Sequence, residues 1–174
     1  LIETTRLYEA MATGDVHLFR EKNGEINNTL AIIDRIESED GVLLYRPADE
    51  KTRVIDQNSS LSLGHILENT VKFGTGRYAD KHVRLSGGAS EDAADGIDSL
   101  SLSVPLLGKT GTANRYTNAS FFGYLPALNQ EGNGMMIDGG YGVGVYVGYD
   151  DNKVMRRRTT RITGAAGALP AWTD

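Results

Sequence analysis

The sequence predicts an α+β domain, an antiparallel sheet flanked by helices, and three observations carry that reading. Apolar residues recur at helical spacing at the start of the chain and again in its middle. Two strand-like runs bracket a Glu-Asp-Gly turn between those helices. The last third alternates at period two, with short polar loops between its runs. Helix, hairpin, helix and then three strands in antiparallel order place helices against one sheet.

Each element has its own justification. Leu1, Ile2, Leu7, Tyr8 and Met11 form the stripe of a first helix, and Gly14 is its stop signal. The branched run 29–36, the turn Glu39-Asp40-Gly41 and the apolar run Val42 to Tyr45 read as a β-hairpin. Asn58-Ser59-Ser60 can cap a second helix, with Leu61, Leu63, Ile66, Leu67, Thr70 and Val71 as its buried stripe. Gly74-Thr75-Gly76 ends that helix abruptly. Residues 86–101 are small, acidic and glycine-bearing, and are expected to be a flexible insertion. An apolar run then enters Lys109-Thr110-Gly111-Thr112, a polar loop leaves it, and Ala119 to Leu125 returns as a strand. The glycine-rich stretch 131–140 is expected to be a second flexible insertion. Tyr141 to Tyr149 follows as a strand with Val143, Val145 and Val147 on one face. Small apolar residues from Gly164 to Trp172 read as a short terminal helix packed on the sheet, with Trp172 in the core.

Composition narrows the function. The chain has 174 residues, 40% of them hydrophobic and 24% charged, which is ordinary for a globular domain with a real core. A formal net charge of -5 argues against a nucleic-acid partner. Arg156, Arg157, Arg158 and Arg161 form a basic cluster, read as a solvated strand or loop face. With no cysteine, no disulfide or thiolate site exists in this chain. His17, His65 and His82 lie far apart without metal-ligand spacing, so no metal and no cofactor is expected. No apolar run approaches membrane-spanning length, and no membrane contact by this segment is expected.

The chemistry sits at Lys109 to Thr112. Gly-Lys-Thr invites comparison with a phosphate-binding loop, G-x-x-x-x-G-K-[ST]. The leading glycine of that pattern falls on Ser103, and glycine, asparagine and aromatic residues follow where a helix should begin. The nucleotide reading fails on both counts. A lysine, two hydroxyls and a glycine on an extended segment can instead bind a carboxylate and accept a substrate backbone alongside. A solvated edge lysine between two strand-forming threonines is the plainer alternative.

Several segments, taken in order, resemble the transpeptidase domain of penicillin-binding proteins of the class A, bifunctional kind. They are LYEAMATG (Leu7 to Gly14), the Arg35 to Tyr45 hairpin, FGTGR (Phe73 to Arg77), KTGT (Lys109 to Thr112) and ASFFGYLP (Ala119 to Pro126). VYVGYDDNK (Val145 to Lys153) and the closing Thr163 to Trp172 complete the series. The resemblance spans nearly the whole chain, apart from the two glycine-rich stretches. It implies the penicillin-binding and serine β-lactamase-like fold, with residues 1–174 as the C-terminal portion of one transpeptidase domain. It implies a peptidoglycan D,D-transpeptidase that cross-links wall peptides by serine acyl transfer, on the extracytoplasmic side of a bacterial inner membrane. The parent protein would be anchored by a segment N-terminal to this one. Partners would be the peptidoglycan stem peptide, β-lactams and the upstream half of the same domain.

Lys109 and Thr112 then become catalytic, and Thr110, Gly111 and Thr112 substrate-binding. Lys109 supplies positive charge opposite the nucleophile, the two hydroxyls donate to a substrate carboxylate, and Gly111 permits close approach of the substrate backbone. The resemblance makes the Thr112 N–H half of an oxyanion hole. The family's nucleophile motif S-x-x-K is missing: Phe19, Ala48, Asn69, Tyr78, Leu106 and Asp150 stand three residues before the six lysines. S-x-N is missing as well. The chain alone is therefore expected to be inactive. A pseudo-enzyme, a β-lactam-sensing or structural domain of the same fold, and a serine β-lactamase are the competing readings.

Overall fold

The computed structural model describes residues 1–20, 26–27, 33–86, 101–129, 131 and 134–174. Helix α1 spans Ile2–Thr13 and ends as its sequence requires. Gly14 adopts φ 81°, a left-handed conformation open to glycine at little cost, and its amide reaches the Ala10 carbonyl at 2.8 Å. The chain turns there into β1 (Asp15–Arg20), which pairs antiparallel with β2 (Ile26–Asn27) on one side. The hairpin expected around Gly41 exists as two short strands, β3 (Ile36–Glu37) and β4 (Leu43–Tyr45). The first residues of the expected branched run lie outside the described residues. β5 (Ala48–Arg53) completes the small sheet by pairing with β1 along its whole length. ADEKTR has no apolar alternation and DVHLFR alternates over only four residues, so neither strand stands out in the sequence.

Helix α2 spans Gln57–Lys72, and two expectations about it are corrected. Its N-cap is Asp56, one residue before the helix, and not the Asn58-Ser59-Ser60 run. One Asp56 carboxylate oxygen accepts from the amides of Asn58 and Ser59, each at 3.1 Å. The hydroxyl of Ser59 and these amides hold the carboxyl below the usual carboxylate range. The buried face of α2 is Ser60, Leu67 and Val71. Leu61 and Ile66, expected in the stripe, are 51% and 60% exposed. Two of the six stripe residues therefore lie open among the described residues.

α3 (Arg77–His82) follows the Gly-Thr-Gly turn, and β6 (Arg84–Ser86) pairs with β7 (Ser101–Ser103). Apart from its two end residues, the expected insertion 86–101 lies outside the described residues. The main sheet comes next: β8 (Leu107–Thr112), β9 (Asn118–Leu128) and β10 (Met135–Gly148), in the order β10-β9-β8, all antiparallel. This is the expected three-stranded arrangement. Met135 to Gly140, within the second expected insertion, belong to β10 itself. The extra residues appear there as a shift of register between Met136 and Tyr141.

That half of β10 is tied down electrostatically. Lys51 on β5 bridges the buried Asp15 at 3.2 Å and Asp138 at 2.5 Å, while Arg53 meets Asp15 at 2.7 Å. Lys51 holds the Asp138 carboxyl below its ordinary value, and Asp138 raises the lysine in return.

β11 (Arg156–Arg157) and β12 (Thr160–Arg161) place the basic cluster on an exposed hairpin. One π-helical turn, Gly164–Ala168, runs into α4 (Leu169–Thr173). This is the expected closing helix, and it packs on the sheet. The principal core joins Val71, Ala79, Val104, Leu106, Phe121, Ala168 and Leu169, with Trp172 against it. The Phe121 and Trp172 rings meet edge to face, with centroids 4.9 Å apart. A second cluster of Ala12, Leu67, Leu107 and Tyr124 fills the other side of the sheet under α1.

Candidate active site

β8 is the last strand of the main sheet, so one of its edges faces away from β9. Side-chain burial along it runs from closed to open. Leu107 and Gly108 are buried, Lys109 and Thr112 are exposed, and Thr110 and Gly111 lie between. α2 closes the start of the free edge, where the Thr70 hydroxyl contacts the Gly108 carbonyl. Beyond that point no further strand pairs with the edge among the described residues.

Backbone polarity on this edge follows from three contacts. Ala113 donates its amide inward to Asn118 at 3.0 Å, so odd-numbered residues hydrogen-bond towards β9. The Gly108 carbonyl meets Thr70, and the Thr110 carbonyl accepts from Lys109 Nζ at 2.9 Å, so even-numbered groups point outward. Alternation along an antiparallel strand then puts the N–H groups of Thr110 and Thr112 on the free edge. Both are donors to an incoming extended chain.

The side chains divide by face. Thr110 and Thr112 stand two residues apart, opposite Phe121 and Ala119, on the side covered by the closing helix. Lys109 and Gly111 stand opposite Phe122 and Ser120 on the other side. A Cβ on Gly111 would come to 2.4 Å from the Ser120 hydroxyl, which would have to rotate away, while the Ser120 backbone stands clear at 4.0 Å. The Thr112 hydroxyl accepts the Gly164 amide at 3.0 Å. The Thr110 hydroxyl lies 2.5 Å from that of Thr75, in the turn between α2 and α3.

All four predicted site residues thus lie on one strand, at the open end of its free edge. Sequence reasoning missed what supports them. In the sequence Gly74 and Gly76 read as helix-stop glycines, and nothing there gives Thr75 between them a part. The available signal was a threonine framed by glycines directly after a helix. Gly164 was also missed. A Cβ there would stand 2.5 Å from the Gly111 carbonyl and 2.7 Å from the Ser120 carbonyl, both fixed backbone atoms. Gly164→Ala is expected to part the π-helical turn from β8 and β9, at a cost of about 1–3 kcal/mol. Chemical denaturation measures it, and an unchanged midpoint would contradict the packing described.

The loop after the motif is braced by the basic hairpin. Met155 donates its amide to the Tyr116 carbonyl at 2.7 Å, and Arg161 bonds the Tyr116 hydroxyl at 3.3 Å. The histidines are separate: His17 lies by Glu9, His65 by Glu68, and His82 stacks on Tyr78. Among the described residues no group of three His, Asp or Glu could hold a metal ion. No helix of the described residues is long and apolar enough to cross a membrane.

Comparison with known proteins finds this chain similar to penicillin-binding proteins. The particular relatives are of the 1A and 1B kinds. Penicillin-binding protein 1B of Haemophilus influenzae is 27% identical over 172 residues, covering 99% of this chain and 16% of that protein. Penicillin-binding protein 1A of Rickettsia typhi is 25% identical over 187 residues, covering 100% of this chain and 19% of the relative. The 1A protein of Rickettsia conorii is 26% identical over the same span. The chain therefore spans less than a fifth of the length of these curated relatives. No protein-family model matches it. The α+β architecture, with helices and antiparallel sheets, is compatible with the transpeptidase fold of that class.

Proposed function

We propose that this chain supplies the ligand-binding strand of a peptidoglycan D,D-transpeptidase domain. The observation that carries the reading is the placement of Lys109-Thr110-Gly111-Thr112 on the open edge of a terminal antiparallel strand. An extended D-alanyl-D-alanine peptide or a β-lactam lies along that edge as an added strand, donating to and accepting from its outward backbone groups. Lys109 swings from the Thr110 carbonyl to put its ammonium opposite the nucleophile and the ligand. The Gly164 amide occupies a lone pair of the Thr112 oxygen, which leaves the hydroxyl proton free for the ligand carboxylate. The Thr112 N–H, on the free edge, is one donor of the oxyanion hole that stabilises the tetrahedral intermediate.

The nucleophilic serine and its lysine partner come from the upstream half of the same domain. Two observations support this. Neither S-x-x-K nor S-x-N occurs in the chain, and Leu1, Ile2, Leu7, Leu61 and Ile66 leave an apolar surface exposed on α1 and α2. The parent protein acts in the bacterial cell envelope, outside the inner membrane, where its wall-peptide substrate lies.

The test is intact-mass spectrometry after incubation with a penicillin. The parent protein containing this chain is expected to gain the mass of one penicilloyl group. The chain alone is expected to gain none, since an acyl adduct needs the serine–lysine pair. An adduct on the isolated chain would reveal a nucleophile here and overturn the division of labour. A parent protein that binds penicillin reversibly but forms no adduct would instead favour a sensing domain of the same fold.

A further inference from the structure

The hydroxyl of Thr75 touches the motif strand from a separate element, 35 positions away in sequence, at 2.5 Å from the Thr110 hydroxyl. The turn that carries it has little freedom. A Cβ on Gly74 would meet the Thr70 carbonyl at 2.7 Å, and one on Gly76 the Val71 Cα at 2.9 Å, so both glycines lie tight on the end of α2. Gly76 further bonds its amide to the Thr70 carbonyl at 3.0 Å. Thr70 itself contacts β8 at Gly108. One rigid corner therefore meets β8 twice, first at a main-chain carbonyl and then, two residues on, at the side chain of Thr110.

A hydroxyl has one proton and two lone pairs. If Thr110 gave its proton to Thr75, it could not give it to a ligand. If Thr75 donates, the Thr110 oxygen is held in place and its own proton remains available, in a chain of two hydrogen bonds that strengthen one another. An anionic ligand selects the second arrangement, because a carboxylate accepts and cannot donate. We infer that Thr75 is a positioning residue that donates to Thr110 and so aims the Thr110 proton at the carboxylate of the ligand, an inference that rests on the proposed carboxylate-binding role of this strand. Thr75 does for Thr110 what the Gly164 amide does for Thr112, which makes the pair of threonines a matched two-donor site.

The test uses the full-length protein containing this chain, with a fluorescent penicillin and its carboxyl methyl ester as probes. Saturation kinetics separate pre-acylation affinity from the acylation step. Thr75→Val, of nearly the same shape and at an exposed position, is expected to weaken affinity for the acid about tenfold, the effect of one hydrogen bond to a charged group. Affinity for the ester should change little, and Thr75→Ser should restore binding of the acid. Adding Thr75→Val to Thr110→Val should have no further effect, since both act through one proton. Unchanged affinity for the acid in Thr75→Val would overturn the inference. So would an equal loss for acid and ester, which marks a structural role alone. A wild-type protein that forms no penicilloyl adduct would sink the proposed function itself, and this inference with it. An acylated wild type with an unaffected Thr75→Val sinks the inference only.

Discussion

Replacing Lys109 by alanine in the parent protein is expected to lower the second-order rate of acylation by a penicillin on the order of 100-fold. The size follows from what single preorganised electrostatic donors contribute in acyl transfer. Lys109 is exposed, and among the described residues its ammonium bonds the adjacent Thr110 carbonyl, so truncation removes charge without opening the core. The folded state should therefore keep its unfolding midpoint while the chemistry slows. Stopped-flow acylation and thermal unfolding, measured on the same variant, separate the two effects. Lys109→Arg tests whether charge alone suffices. The planar guanidinium keeps the charge but changes its geometry, so partial recovery is expected. Acylation within threefold of wild type in Lys109→Ala would remove Lys109 from the catalytic set and leave the plainer reading of a solvated edge lysine.

Phe121→Ala is expected to destabilise the fold by about 3–5 kcal/mol, the range for emptying a buried aromatic site. Phe121 is fully buried, 0% exposed, and lies in the middle strand of the main sheet opposite Thr110. Its ring packs edge to face on Trp172, which is in turn held by a bond from its indole nitrogen to the Val143 carbonyl at 3.1 Å. The ring also lies against the backbone of β8, within 2.5 Å of where a Cβ on Gly108 would stand. The cavity would open directly beneath the motif strand, between it and the closing helix. Phe121→Leu, which fills most of the volume, should cost much less. A chemical-denaturation series on the two variants checks this. A loss below 1 kcal/mol in Phe121→Ala would mean that the two sides of the sheet close over the gap.

The sequence by itself determined the elements whose signals are local. α1 and its Gly14 stop, the antiparallel run β8-β9-β10 and the motif on a strand with no helix after it all rest on periodicity and turn chemistry. Likeness to penicillin-binding proteins was also legible, because it lies in short ordered segments. Only the tertiary structure decided the rest. The β1–β5 sheet joins Asp15–Arg20 to Ala48–Arg53, the second too polar to announce itself, and is tied through the buried Asp15 to Lys51 and Arg53. The exposure of Leu61 and Ile66 on α2 could not be foreseen, since helical periodicity reports an apolar arc and not how much of it finds a neighbour. Thr75 beside Thr110, and Gly164 against Gly111, depend on contacts between elements far apart in sequence, the first 35 positions. Local propensity chooses the conformation of each residue, but which hydroxyl shares a proton with which is set by the packing of elements distant in sequence. The lysine and the two threonines could be read in a line of letters, and the partners that orient the threonine hydroxyls could not.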